Sequence, residues 1–312
     1  MPVVINAMDM SEKNSSNSVN DNGLIDIIIV NYNSSDCVLS CLPSIYESLN
    51  GLSVNVFVFD NASRDDVDKI IEIFPKVRLL KNNTNIGFAR GVNEVLKKSS
   101  APYAIILNPD TIINDRFFEP VMSFMADNSD VGILGPKILN PDGSVQGSAR
   151  SFPSLLTVFF GRNTFFTRLF PNNPISQKNV LTLQSNGTTP IKADWVSGAC
   201  MVIRRKAIEV SGFMDERFFM YWEDADLCRR IWKNGWKVMY FPQAAVLHHV
   251  GQSSKARVLG AEWDFHLSAY RLFSKYAAGS ANLLKPIVAL GLSGRFLILA
   301  SRHLCRLLFF HN

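Results

Sequence analysis

The chain has 312 residues, 47% of them hydrophobic, which suits one large globular domain with an appendage and excludes a disordered or fibrous chain. The formal net charge of +5 and pI near 8.9 are mild, and much of the excess falls after residue 250, so nucleic acid is not the obvious partner and an acidic ligand or anionic lipid fits as well. Five cysteines (Cys37, Cys41, Cys200, Cys228, Cys305) form no CxxC pair and are odd in number, which reads as reduced thiols of a cytosolic protein rather than a disulfide framework.

Residues 1–23, rich in Ser, Asn and Asp with no apolar core, read as a disordered tail and not as a signal peptide or anchor. Residues 25–30 are almost uniformly β-branched, as expected of a central parallel strand buried on both faces. A polar turn from Asn31 to Asp36 follows, then a helical pattern over 38–49 with Leu39, Leu42, Ile45, Tyr46 and Leu49 on one side. The same alternation repeats. Strand 54–59 ends in Asp60-Asn61-Ala62-Ser63, strand 77–81 leads into Asn85-Ile86-Gly87-Phe88-Ala89-Arg90-Gly91, and each loop opens a helix.

The fourth strand, 104–107, stops at Asn108-Pro109-Asp110, because Pro109 cannot donate to a ladder. Asp110 therefore sits at the carboxyl end of a central strand, where ligands of open α/β sheets bind. A carboxylate there can share a divalent cation with a diphosphate; Asn-Pro-Asp is also ordinary turn chemistry. The polar loops, likewise, could simply cap helices. No Walker sequence is present, and Asn31-Tyr32-Asn33 stands where a dinucleotide fold carries its glycines. What favours a site is that three polar loops and Asp110 share one sheet edge.

Residues 115–127 read as a helix and 131–139 as a strand. From 140 to 190 the pattern breaks: Asp142-Gly143 marks a hairpin turn, and prolines punctuate Phe152, Phe159, Phe160, Phe165, Phe166 and Phe170. This insertion reads as an acceptor-side lid, with a local core or a membrane-contacting surface as alternatives. Residues 194–204 form an expected strand interrupted at Gly198. Then come Tyr221 and Trp222, and Glu223-Asp224 at the start of a helix ending at Asn234-Gly235. Asp226 is spaced to pair with Arg230 on the helix surface, whereas carboxylates at 223 and 224 against an aromatic wall gain basicity, as a general base requires. A strand over 238–241 is expected to stop at Pro242, and His248-His249 follow as metal-ligand candidates.

In this order, Val30-Asn31-Tyr32-Asn33, Asp60-Asn61-Ala62-Ser63, Asn85 through Asn93, Asn108-Pro109-Asp110, Trp195-Val196-Ser197-Gly198-Ala199, Trp222-Glu223-Asp224-Ala225-Asp226 and His248 through Gly251 to Ser253 resemble family 2 inverting glycosyltransferases, closest to the bacterial rhamnosyltransferase-like branch. The resemblance covers roughly 25–255. It implies an α/β GT-A fold, a mostly parallel central sheet flanked by helices, in a domain spanning 24–260. It also implies a nucleotide-diphosphate sugar donor, dTDP-rhamnose or a UDP-sugar, and Mg²⁺ or Mn²⁺ as cofactor. Asp60 then looks like the reader of the donor base, with Asn31, Asn61, Asn85 and Gly87 shaping the pocket. Asp110 looks like the last acid of the family's DxD motif and His248 like the ligand completing the metal shell. Asp224 looks like the catalytic base; Asn108, Trp195, Gly198, Trp222 and Glu223 fall among the substrate-binding residues. Asn108 departs from the family pattern by replacing its first Asp, which leaves less negative charge for a cation.

Residues 261–312 differ in kind. The stretch 287–310 is apolar but broken by Arg295, Arg302, His303 and Arg306, which suits a basic helix lying in a membrane interface, on the cytoplasmic side, better than one spanning it. A homo-oligomer contact, or packing on the domain, is the alternative. The expected acceptor is a glycan or lipid-linked glycan in cell-surface polysaccharide synthesis. Two other classes stay open: a non-catalytic nucleotide-sugar-binding module, which could lose Asp224, and a glycoside hydrolase, which needs no nucleotide donor.

Overall fold

The computed structural model describes residues 24–153, 179–249 and 258–309, with side chains up to 305 in the last stretch. The expectations for the 1–23 tail, for Phe159, Phe160, Phe165, Phe166 and Phe170, and for Gly251 to Ser253 lie outside the described residues.

Three strand-helix units open the fold: β1 (Ile25–Asn31) and α1 (Ser35–Glu47), β2 (Val54–Asn61) and α2 (Asp68–Ile73), β3 (Arg78–Asn82) and α3 (Phe88–Leu96). Next come β4 (Tyr103–Leu107), a short β5 (Thr111–Ile113), α4 (Phe118–Asp127), β6 (Val131–Leu139) and β7 (Ala149–Arg150). After the insertion run β8 (Ile191–Lys192), β9 (Trp195–Val196), β10 (Cys200–Arg204), α5 (Arg205–Ser211), α6 (Glu223–Lys233) and β11 (Lys237–His248). Two helices close the chain, α7 (Val258–Tyr276) and α8 (Lys285–Phe309).

Nine strands make one sheet in the order β3-β2-β1-β4-β10-β6-β11-β5, with β8 on β11. The first four are parallel, β10 enters antiparallel between β4 and β6, and β11 runs parallel to β6. Burial on both faces explains the apolar runs. In β1, Ile25, Ile27 and Ile29 pack with Val38, Leu42 and Ile45 of α1, while Ile28 and Val30 face Val92 and Val95 of α3. All five cysteines carry free thiols.

Two expectations fail. The strand anticipated over 194–204 is two strands in two sheets: β9 pairs with β7 in a separate ribbon, and β10 joins the main sheet. Ser197 and Gly198 hand the chain from one to the other, and a uniform apolar pattern cannot reveal that switch. Pro242 does not end β11 either. The register against β6 shifts between Phe241 and Ala245, so the proline falls in an irregularity where its missing N–H breaks no ladder bond.

Candidate functional site

The carboxyl ends of β1, β2 and β3 are tied by side chains. Asn31 donates from Nδ2 to Asp60 Oδ1 at 3.1 Å, to Ser63 Oγ at 3.1 Å and to Ser35 Oγ at 3.2 Å. The second loop answers: Arg64 N donates to Asn33 Oδ1 at 2.7 Å and Ser35 N to Asp65 Oδ2 at 2.7 Å. Asn33 and Ala62 take φ of 51° and 63°, a left-handed backbone that costs a side-chain-bearing residue about 1–2 kcal/mol. Asp60 is nearly buried, and an open cleft of about 470 Å³ lies against Asp60, Ser63, Asp65, Lys81 and Asn82.

Asn61 and Asn85 form a second lattice. Asn61 donates to Asn85 Oδ1 (2.9 Å) and Gly87 O (3.2 Å) and accepts from Ile86 N (2.8 Å). Gly87 has φ of 88°, and a Cβ there would meet Phe219 O at 2.5 Å, so glycine is required by both conformation and space. Asn85 and Gly87 thus lock the loop to the segment preceding α6.

Asp110 and His248 meet because β5 pairs antiparallel with the end of β11, setting His248 opposite Thr111, while His249 N donates to Asp110 O at 2.9 Å. His248 Nε2 lies 3.2 Å from Asp110 Oδ1 and 3.4 Å from Asn108 Nδ2. Asp110 Oδ1 is buried without a hydrogen-bond partner, an expensive state for a carboxylate oxygen that a cation would relieve. No cluster of three or more His, Cys, Asp or Glu gathers among the described residues, so the protein offers a pair. One carboxylate and one imidazole suit a divalent ion that takes its remaining ligands from phosphate oxygens and water.

A short bridge connects this pair to α6. Asn108 N donates to Ala199 O at 2.9 Å, and next to it Gly198 N donates to Asp224 Oδ2 at 3.0 Å. Asp224 also accepts from Ala225 N at 2.8 Å and keeps a partly exposed edge. Tyr221 and Trp222, which precede it, both have φ of 68°; two consecutive left-handed residues swing the helix start into the site. Trp222 packs against Trp195 (centroids 5.9 Å apart) and Phe265 (5.5 Å), and Trp195 Nε1 donates to Ser151 O at 3.0 Å.

Helix α7 clamps this arrangement. Ser268 Oγ donates to Met220 O at 2.8 Å, and Asp226 holds Lys275 Nζ (2.6 Å), Tyr276 OH (2.7 Å) and Arg230 Nε (2.9 Å). The Asp226–Arg230 pair thus forms as its spacing predicts, but Asp226 is fully buried rather than on the helix surface, because partners from α7 cover it. Nothing local in the sequence announces contacts fifty residues away.

Burial raises the Asp224 carboxyl, opposed by the Gly198 and Ala225 N–H groups. Burial, with Asp224 beside it, pushes Glu223 well above the usual range. A carboxyl raised on folding holds a proton that the unfolded chain releases near 4.5, so its contribution to stability is complete below that pH and lost as pH rises toward the folded value. Glu223→Gln removes that slope: relative to wild type, the variant should gain stability in urea unfolding as the pH rises above about 4.5. A gap that stays constant with pH would show that Glu223 does not carry it.

Two groups of contributors escape sequence reasoning. Ser35, Ser63 and Asp65 look like ordinary turn residues until they lace the first two loops together. Gln146, reached by the hairpin after Asp142-Gly143, touches the ring of His248 at 3.2 Å.

Residues 26–212 match the family described as Glycosyl transferase family 2. The N-acetylglucosaminyl-diphospho-decaprenol L-rhamnosyltransferase of Mycobacterium tuberculosis is 33% identical over 229 residues, 70% of this chain and 72% of that protein. The dTDP-rhamnosyl transferase RfbF of Shigella flexneri is 25% identical over 286 residues, 90% of this chain and 87% of its own length. Among solved structures, the mannosyltransferase PcManGT from Pyrobaculum calidifontis, in complex with GDP-Man and Mn²⁺, superposes with a TM-score of 0.57 at 16% identity, covering 89% of this chain and 75% of that one. Likeness at that identity speaks for the fold alone.

Proposed function

The chain belongs to glycosyl transferase family 2, as a rhamnosyltransferase-like enzyme with the GT-A fold, and from that premise we propose that it moves rhamnose from dTDP-rhamnose, with inversion, onto a glycan or lipid-linked glycan in cell-surface polysaccharide synthesis. The bridge from Asn108 through Ala199 and Gly198 to Asp224 carries this reading, since it ties the Asp110–His248 pair to a carboxylate of raised basicity on one sheet edge. The two named rhamnosyltransferases support the donor, and the lipid diphosphate in the name of the mycobacterial relative supports the acceptor class.

In this reading Asp60, Asn31, Asn61 and the Asn85–Gly87 loop hold the nucleotide, the first of them against the cleft. Asp110 and His248 would hold Mg²⁺ or Mn²⁺, which when bound neutralises charge on the leaving diphosphate. Trp195 and Trp222 wall the sugar, and Gly198 N fixes the rotamer of Asp224. Asp224 takes the proton from the acceptor hydroxyl as its oxygen attacks the anomeric carbon and the bond to the diphosphate breaks. One displacement inverts configuration and needs no second nucleophilic carboxylate. A panel of nucleotide-sugars tests the donor: dTDP-rhamnose should give the highest turnover, and preference for a UDP-sugar would transfer the assignment to that alternative. Turnover of none, with nucleotide binding intact, would favour the binding module.

The C-terminal helices support a membrane role. Trp263 of α7 meets Phe296 of α8 edge-on, with ring centroids 5.3 Å apart, yet Leu283, Ile287, Leu290, Leu297, Ile298 and Leu304 are exposed. The span Gly279–Cys305 is, by length and composition, apolar enough to cross a membrane, with mean hydropathy 1.7 and 6% of its apolar 18-residue window buried. Its charges, Lys285, Arg295 and Arg302, are all basic, which favours an interfacial helix on an anionic bilayer at the cytoplasmic face. Removing 281–312 spares α7 and its clamp on α6, so it should release the protein from anionic liposomes in flotation while sparing turnover of a soluble acceptor. Full-length protein that ignores such liposomes would instead assign α8 to packing or to a second copy of the chain.

A further inference from the structure

We propose that Gln146 is a positioning residue that fixes His248 as the Nδ1–H tautomer, so that the Nε2 lone pair faces Asp110 and the pair is preset for a divalent cation; the last clause rests on the metal reading above.

The hairpin after β6 anchors Gln146 at its backbone, where its N donates to Ile138 O at 2.8 Å. Its amide has one available orientation. Nε2 faces Asn140 Oδ1 at 2.8 Å, His248 O at 3.0 Å and Leu139 O at 3.4 Å. Two of these are backbone carbonyls, which only accept, so a flipped amide would set oxygen against oxygen. Asn140 is oriented in turn, because its Nδ2 donates to Ser144 Oγ at 2.8 Å and leaves Oδ1 as acceptor.

With the nitrogen end fixed, Oε1 of Gln146 faces His248 Nδ1 at 3.2 Å. An oxygen that can only accept requires a proton on that ring nitrogen. A neutral imidazole has one proton to give, so Nε2 is left with its lone pair. That lone pair lies 3.2 Å from Asp110 Oδ1, itself buried and without a hydrogen-bond partner. Two lone pairs at that distance repel unless a proton or a metal cation joins them. Gln146 makes no hydrogen bond to Asp110, so it acts through the imidazole, as outer partners of metal-bound histidines do.

Two variants separate orientation from scaffolding. Gln146→Met keeps the side chain's length and removes every side-chain polar contact, whereas Asn140→Ala removes one partner of Nε2 but leaves Oε1 facing Nδ1 and Nε2 facing His248 O. In metal-free protein, at a pH where the ring is neutral, ¹⁵N spectra of labelled histidine (His248 assigned by its loss in His248→Ala) should show Nδ1–H in wild type and Asn140→Ala, and a tautomer mixture in Gln146→Met. Calorimetry with MnCl₂ in the presence of dTDP should then show about 10–100-fold weaker Mn²⁺ binding for Gln146→Met and near-normal binding for Asn140→Ala. An unchanged tautomer in Gln146→Met, or equal loss in both variants, would overturn the proposal and leave Gln146 a scaffold residue. Wild-type protein that binds no Mn²⁺ with dTDP would overturn the cation clause alone, since the metal-free spectrum still decides the tautomer.

Discussion

Asp224→Asn is expected to lower turnover by about 10²–10⁴, the usual worth of a general base, while donor affinity stays close to wild type. The two acids that begin α6 differ in surroundings. Asp224 keeps an exposed edge and two backbone donors, whereas Glu223 is buried with one carboxyl oxygen unpartnered. Asn cannot accept from both Gly198 N and Ala225 N, so one of those bonds is lost. A thermal melt beside the kinetics therefore separates a small loss of order from loss of the base. The acidic limb of the pH–rate profile should lie above the ordinary aspartate value of 3.8, because burial raises this carboxyl, and it should vanish in the variant. Near-normal activity for Asp224→Asn alongside an inactive Glu223→Gln would reverse the two assignments.

Asp110→Ala should have an effect of similar or greater size. In the proposed reading a cation would find one carboxylate and one imidazole among the described residues, and Asn108 supplies an amide where the family pattern has an acid, so no second acid would compensate for the loss. Several kcal/mol of charge stabilisation at the leaving diphosphate corresponds to about 10²–10⁴ in rate. Unlike Asp224→Asn, this change should also weaken nucleotide-diphosphate binding, and only when Mn²⁺ is present. Calorimetry with dTDP, with and without Mn²⁺, reads the difference. Equal affinity for wild type and variant under both conditions would remove Asp110 from the metal role.

The first half of the sheet was legible because its strands are buried on both faces. Ile25 to Val30 and Ala104 to Leu107 can hardly be anything but central strands, and their polar loops fall at one edge by topology. Hydrophobic period has no access to what lies beyond the segment. The crossing of Ser197 and Gly198 between two sheets, the irregularity that accommodates Pro242 and the three-residue β5 are all set by partners distant in the chain. At the site, Asp110 could be placed from its strand and His248-His249 could be marked as metal-ligand candidates, but that His248, 138 positions on, is the one beside Asp110 came only from family resemblance. Asp226 shows the opposite limit. Its local pairing with Arg230 was readable, yet its burial depends on Lys275 and Tyr276, which no helical repeat connects to it.

A single displacement with Asp224 as base fixes the anomeric configuration of the product. With a donor of defined anomer and a soluble acceptor, ¹H NMR of the initial product, recorded before any mutarotation or further transfer, should show the opposite configuration at the transferred sugar. Retention of the donor's configuration would contradict the account, since it requires two displacements or a front-face route that Asp224 as sole base does not provide.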